Sequence, residues 1–160
     1  MAILPILHWP DPRLAIVCAP VGVLTPAVQA LAEDMLETMY AAPGRGLAAP
    51  QVGAMLRLFV MDVTWKDGPR DPMVMVDPVV LWRSDARVTG PEGCLSIPDV
   101  VAEVERFDAL RLRWTGLDGV QVEADLTGFA AICAQHELDH LDGIVTLDRL
   151  TPEARAGVLL

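Results

Sequence analysis

His136-Glu137-Leu138-Asp139-His140 is the segment of this sequence best suited to chemistry. On a helix, residues four apart project the same way, so the two imidazoles can share one metal ion. The Glu between them is placed to handle a proton. Two surface histidines on a polar helix end would look the same, but so close a His-Glu-His arrangement is uncommon at ordinary composition. A third histidine, His8, is isolated and reads as a surface residue.

A catalytic metal needs a third protein ligand and one open position. The pattern H-E-x-x-H-x-x-G-x-x-H of one peptidase group is followed through Gly143, but Thr146 stands at its last position. The carboxylates after His140 are Asp142, Asp148 and Glu153, and Asp142 points away from the histidine face. The thiols are better candidates. Cys133, three residues before His136, shares its helix face, although the preceding Gly128-Phe-Ala-Ala-Ile suits a buried core thiol. Cys94 sits in Pro91-Glu-Gly-Cys-Leu-Ser96, a glycine-containing turn that could present a thiolate. Spacing alone leaves both open.

A third segment, Gly44-Arg-Gly-Leu-Ala-Ala-Pro-Gln51, carries two glycines where a backbone can run close to a substrate chain. An extended peptide could pair with it as an added strand. Together with Glu92-Gly-Cys-Leu-Ser96 and Gln135-His-Glu-Leu-Asp-His-Leu-Asp-Gly143, in that order, it resembles the peptide deformylase family, in its compact bacterial type. The likeness extends from Asp11-Pro-Arg13 to about Leu150.

The resemblance implies Cys94, His136 and His140 as metal ligands, which makes Cys133 a pocket residue. It implies a substrate, the formylated N-terminal methionine of a new polypeptide, cleaved to formate and a free amino terminus. Water in the remaining metal position would have its pKa brought from 15.7 to about 7. Glu137 would take the water proton and pass it to the leaving amine. The oxyanion donors would be the metal, the Gln51 side-chain amide and the Leu95 backbone N–H. Gly44, Arg45 and Gly46 would bind the substrate, and Phe129, Ile132 and Cys133 its methionine side chain. One divalent ion is expected. Thiolate plus imidazole suits iron and zinc, and the resemblance implies Fe2+ natively, with Zn2+, Ni2+ or Co2+ able to replace it.

The chain departs from the family in two places. Arg45 lies between the motif glycines, where the family more often has an apolar residue. Its side chain would then favour an acidic or polar residue after the methionine, cover the pocket mouth, or face solvent. The stretch after the metal helix is short and not basic, which argues against stable attachment to the ribosome and leaves transient contact. Two other readings remain: a deformylase-like metallohydrolase with an altered substrate, and a non-catalytic metal-binding module. A purely structural site would need neither Glu137 nor Gln51.

These residues must be positioned by the surrounding elements. Residues 1–24 are Pro-rich and aperiodic and read as an extended N-terminal arm. Thr25 can cap a helix with Pro26 in its first position, and Val28, Leu31, Met35, Leu36 and Met39 keep helical spacing. Pro43-Gly44 should stop it near Ala42. Leu56–Met61 and Met73–Trp82 read as strands, the second bent or placed at an edge by Pro78. The segments 64–71 and 83–90 read as polar loops. Leu110, Leu112 and Trp114 alternate with polar residues, as do Val120, Val122 and Ala124, and Gly116-Leu-Asp-Gly119 joins them as a hairpin. The metal-binding helix is expected over 126–142, ended by Gly143, and a last short helix begins at Thr151-Pro152. Strands followed by a late helix suggest an α+β fold, with antiparallel or mixed sheets around a central metal-binding helix.

The 160 residues suit one domain, 1–160. With 52% hydrophobic and 21% charged residues, the chain can fill a core. A net charge of −10 disfavours broad contact with phosphate backbones, so no direct nucleic-acid binding is expected. Three cysteines are too few for a disulfide framework. No apolar stretch approaches the ~20 residues that span a bilayer, and no leader pattern opens the chain. A cytoplasmic monomer that does not engage membranes is the expectation.

Overall fold

The computed structural model describes residues 2–159; Met1 and Leu160, the ends of the expected domain, lie outside them. Helix α1 (Pro26–Ala41) starts where the sequence places it. Thr25 Oγ accepts the Val28 N–H at 3.3 Å, and Pro26 occupies the first turn, where no N–H is required. Strands β1 (Gly46–Ala48), β2 (Leu58–Met61), β3 (Met73–Arg83), β6 (Ala109–Thr115) and β7 (Gln121–Thr127) form a five-stranded antiparallel sheet in the order β1-β2-β3-β6-β7. Strands β4 (Arg87–Cys94) and β5 (Ile97–Phe107) form a separate two-stranded sheet. Helix α2 (Gly128–Leu141) follows β7, and α3 (Pro152–Leu159) ends the described chain.

Alternation along β2 explains how the layers assemble. Phe59 and Met61 face one side and join Ala131, Ala134, Leu138 and Leu141 of α2. Leu58 and Val60 face the other and meet Ala32, Met35 and Met39 of α1. All four β2 residues are buried, so this strand lies between two helices. Small Ala131 and Ala134 let α2 lie close to the sheet. The arm is mostly extended, with a turn closed by Asp11 N–H donating to His8 O and a 3-10 turn at Pro12–Ala15. It crosses the later site: the Leu7 and Trp9 N–H groups donate to the Gln51 and Ser96 carbonyls, and Cys18 N–H donates to Leu141 O.

Three expectations are corrected. The helix expected from 126 begins at Gly128, because Leu126 still pairs with Leu110 in the sheet. Gly128 has φ +57, which lets the chain leave β7 and enter α2 within one residue. The loop expected over 83–90 is strand at both ends, since β3 runs to Arg83 and β4 begins at Arg87. Pro78 does not place β3 at an edge; the ladder shifts register between Val76 and Val79, and β3 has neighbours on both sides. Among the described residues, no helix is long and apolar enough to cross a membrane.

Candidate active site

Two elements distant in sequence meet at the site. Cys94 ends β4, where the ladder shifts register between Gly93 and Cys94 before turning into β5. His136 and His140 lie one turn apart on α2, with ring centroids 5.0 Å apart. One donor atom from each of the three residues lies within 4.8 Å of the others. Cys94 Sγ is 3.5 Å from His140 Nε2. A tetrahedral ion with metal–sulfur and metal–nitrogen bonds of ~2.3 and ~2.05 Å would hold two such donors about 3.6 Å apart. The donor set therefore fits one divalent ion in both spacing and chemistry.

Glu92 fixes the orientation of His136. Its carboxylate only accepts, so the 3.0 Å contact to His136 Nδ1 places the ring hydrogen there and leaves Nε2 with its lone pair. Glu92 is held in turn by two 2.8 Å hydrogen bonds from Arg106. Arg106 also donates to Asp139 at 2.6 Å, and Arg149 grips the same carboxylate. Burial alone would raise the Glu92 pKa, but the bonds from Arg106 and His136 outweigh it and hold it at about 2. Charge on Glu92 is thus secured beneath the ligand. His140 is buried, and its Nδ1 has no partner.

Glu137 is 2% exposed, and its Oε1 has no hydrogen-bond partner. Burial pushes its carboxyl up to about 7, against the opposing pull of His136. Gln51, on the 3-10 turn Ala49–Val52, is also buried. Its Oε1 accepts the Ala48 N–H at 2.9 Å, which fixes which end is the amide nitrogen. Nε2 then donates to Ser96 Oγ at 2.9 Å and lies 3.7 Å from Cys94 Sγ. Leu95 occupies the turn between Cys94 and Ser96.

These groups border one cavity of about 730 Å³, whose walls include Gly44, Arg45, Gly46, Phe129, Ile132 and Cys133. Every residue the sequence singled out for the site is here, His140 buried alongside. His8 is exposed. Cys133 is outside the donor cluster; its thiol donates to Arg45 O at 3.7 Å. Burial, and next Glu137, push that thiol well above its ordinary range.

The glycines have a further reason. A Cβ on Gly46 would lie 2.5 Å from Glu137 Oε2 and 2.9 Å from Cys133 Sγ, so a side chain there would have to push the Glu137 carboxyl or the Cys133 thiol aside. A Cβ on Gly44 would lie 2.8 Å from Leu95 Cδ1. Gly46→Ala is expected to displace Glu137, lowering kcat about tenfold or more and stability by about 1–3 kcal/mol. Steady-state kinetics and thermal unfolding measure the two effects.

Sequence reasoning assigned no role to Arg106, Asp139, Arg149 or Ser96, and quoted Glu92 only as part of a segment. The signal for Arg106 is an inward position in the alternation Ala102-Glu103-Val104-Glu105-Arg106, where Ala102, Val104 and Arg106 are buried. Trp65 lies outside the motifs above, yet it donates its indole N–H to the cavity residue Gly44, at its carbonyl O, at 2.9 Å.

Residues 3–156 match the family model described as polypeptide deformylase. A peptide deformylase of Bartonella henselae is 46% identical over 159 residues, covering 99% of this chain and 90% of the relative. One from Alkalilimnicola ehrlichii is 49% identical over 158 residues, covering 99% and 88%. Among solved structures, a Legionella pneumophila peptide deformylase superposes with a TM-score of 0.93 at 36% identity, covering 99% of this chain and 92% of that one. The Ehrlichia chaffeensis enzyme in complex with actinonin gives 0.93 at 32% identity, covering 99% and 95%. With a family match over nearly its whole length, the chain belongs to the peptide deformylase family.

Proposed function

We propose that Glu137, Gln51 and the Leu95 N–H carry out the reaction in the cavity beside α2, with Cys94, His136 and His140 holding the metal. The chain is a metal-dependent hydrolase that removes the formyl group from the N-terminal formyl-methionine of newly made polypeptides, releasing formate. The observation that carries the site reading is the convergence of a thiol and two imidazoles beside a buried, unpaired carboxylate oxygen.

A divalent ion in that donor set supplies a Lewis acid and brings the pKa of adjacent water near 7. Glu137 accepts the proton of the attacking water and returns it to the leaving amine. Because Glu137 is buried, the proton stays within the site. Gln51 Nε2 and the Leu95 N–H donate to the formyl oxygen as negative charge develops. Ser96 and Ala48 lock the Gln51 amide before substrate arrives, so little reorganisation is required. Glu92 keeps His136 in its ligating tautomer. The methionine side chain lies against Phe129, Ile132 and Cys133, while Gly44 to Gly46 offer backbone to the peptide. Fe2+ is the native ion in this reading, with Zn2+, Ni2+ or Co2+ as substitutes. The protein acts as a cytoplasmic monomer, one domain over 1–160, with transient ribosome contact.

The test is formate release from formyl-Met-Ala-Ala by anaerobically prepared, iron-loaded protein, abolished by chelation and restored by the ion. Cys94→Ser is expected to lower metal affinity at least tenfold and activity with it. Cys133→Ser should retain the ion and lose less activity. The reverse ranking overturns the ligand assignment.

A further inference from the structure

β1 is an edge strand, and Gly44 to Gly46 of its segment border the cavity. A peptide added along it turns successive side chains to opposite faces. With methionine against Phe129, Ile132 and Cys133, the second residue faces away. The third returns to the methionine side, about 7 Å farther along.

The charged group on that side is Arg45. Its guanidinium carbon lies 5.3 Å from the centre of the Phe129 ring, at the cavity wall. Lys66, the sole lysine of the sequence, borders the same cavity. Neither cation pairs with a carboxylate among the described residues; Arg70, Arg83 and Arg113 are unpaired too, but they do not line this cavity, whereas the other seven arginines are paired. The carboxylates facing the cavity are Glu92, neutralised by Arg106, the buried Glu137, and the exposed Asp99. In a chain of net charge −10, two unpaired cations at one cavity offer an acidic side chain a local attraction that the exposed Asp99 offsets only in part.

We infer that Arg45, with Lys66 at the same cavity, selects formyl-methionyl peptides whose third residue is acidic. This rests on the site reading above and on methionine occupying the Phe129 side. Alternation separates the third residue from the second, so the preference belongs to a single substrate position. Phe129 supports the planar guanidinium by its face and leaves its N–H groups free for a carboxylate.

The experiment compares kcat/KM for formyl-Met-Ala-Glu, formyl-Met-Ala-Gln and formyl-Met-Ala-Lys, with formyl-Met-Glu-Ala and formyl-Met-Lys-Ala as position controls. The wild type should favour Glu over Lys at the third residue about fivefold to tenfold, since attraction becomes repulsion at a partly exposed pair. Half-molar salt should shrink that ratio. The ratio should fall to near one in Arg45→Gln and invert in Arg45→Glu; being internal to each variant, it is insensitive to any loss of folded protein. Lys66→Gln should reduce it by a smaller factor. Equal rates in the wild type, a ratio unchanged in Arg45→Gln, or a larger ratio at the second residue would each overturn the inference while leaving deformylation intact. No formate from any of the peptides would instead overturn the site reading, and the inference with it.

Discussion

Glu137→Gln is expected to retain one metal ion per chain while kcat falls by about 10²- to 10⁴-fold, the usual contribution of a positioned acid–base group. The substitution conserves shape, which matters because Gly46 leaves no spare room beside Oε2. It removes only the lone pairs that receive a proton. The ligand donors come from Cys94, His136 and His140, so metal content should be unchanged. Stability should hold or rise, because the wild-type carboxyl is buried with an unpaired oxygen. Metal analysis, thermal unfolding and formate kinetics on the same preparation separate these effects. Turnover within threefold of wild type would show that the proton moves by another route.

Arg106→Met should produce the largest loss of stability. One buried guanidinium joins Glu92 and Asp139, with side chains 4%, 7% and 11% exposed. Without it, Glu92 keeps only His136 as partner, while Asp139 keeps Arg149. Removing one member of a buried ion pair costs about 3–5 kcal/mol, which for this size lowers the melting temperature by about 10 °C or more. Metal affinity should weaken about 10- to 100-fold as His136 loses its fixed orientation. The double variant Arg106→Met with Glu92→Gln removes the stranded charge yet keeps an acceptor for His136 Nδ1. It should recover part of the stability and most of the metal affinity. An Arg106→Met protein that melts like the wild type would mean the network is not coupled to folding.

The parts read most directly from sequence are those specified by local chemistry. Thr25-Pro26 marks a helix start because a hydroxyl acceptor and a missing N–H both suit a first turn, and α1 starts there. The spacing of His136 and His140 needs only helical geometry to converge. The β4–β5 hairpin was not legible in the same way. Gly90, Pro91, Gly93 and Pro98 argue locally for loop, and cross-strand pairing from Arg87–Phe107 to Cys94–Ile97 overrides them. Arg106 conceals the strand further, because a charged residue sits where the alternation calls for an apolar one. Its place is intelligible only once α2 brings Asp139 and His136 against that face. Trp65 lay outside every motif, since its link to Gly44 depends on how a loop folds back across the cavity rim.

In the reading proposed above β1 offers its edge to a peptide, and that strand is three residues long. Long, flat, exposed edges invite copies of a protein to stack into aggregates, and brevity is one of the ways this is avoided. Here the ladder is cut off by Pro43 and Gly44 on one side and by the Ala49–Val52 turn on the other. In that reading so short an edge has room for the tip of one flexible chain and offers sister molecules little to stack on.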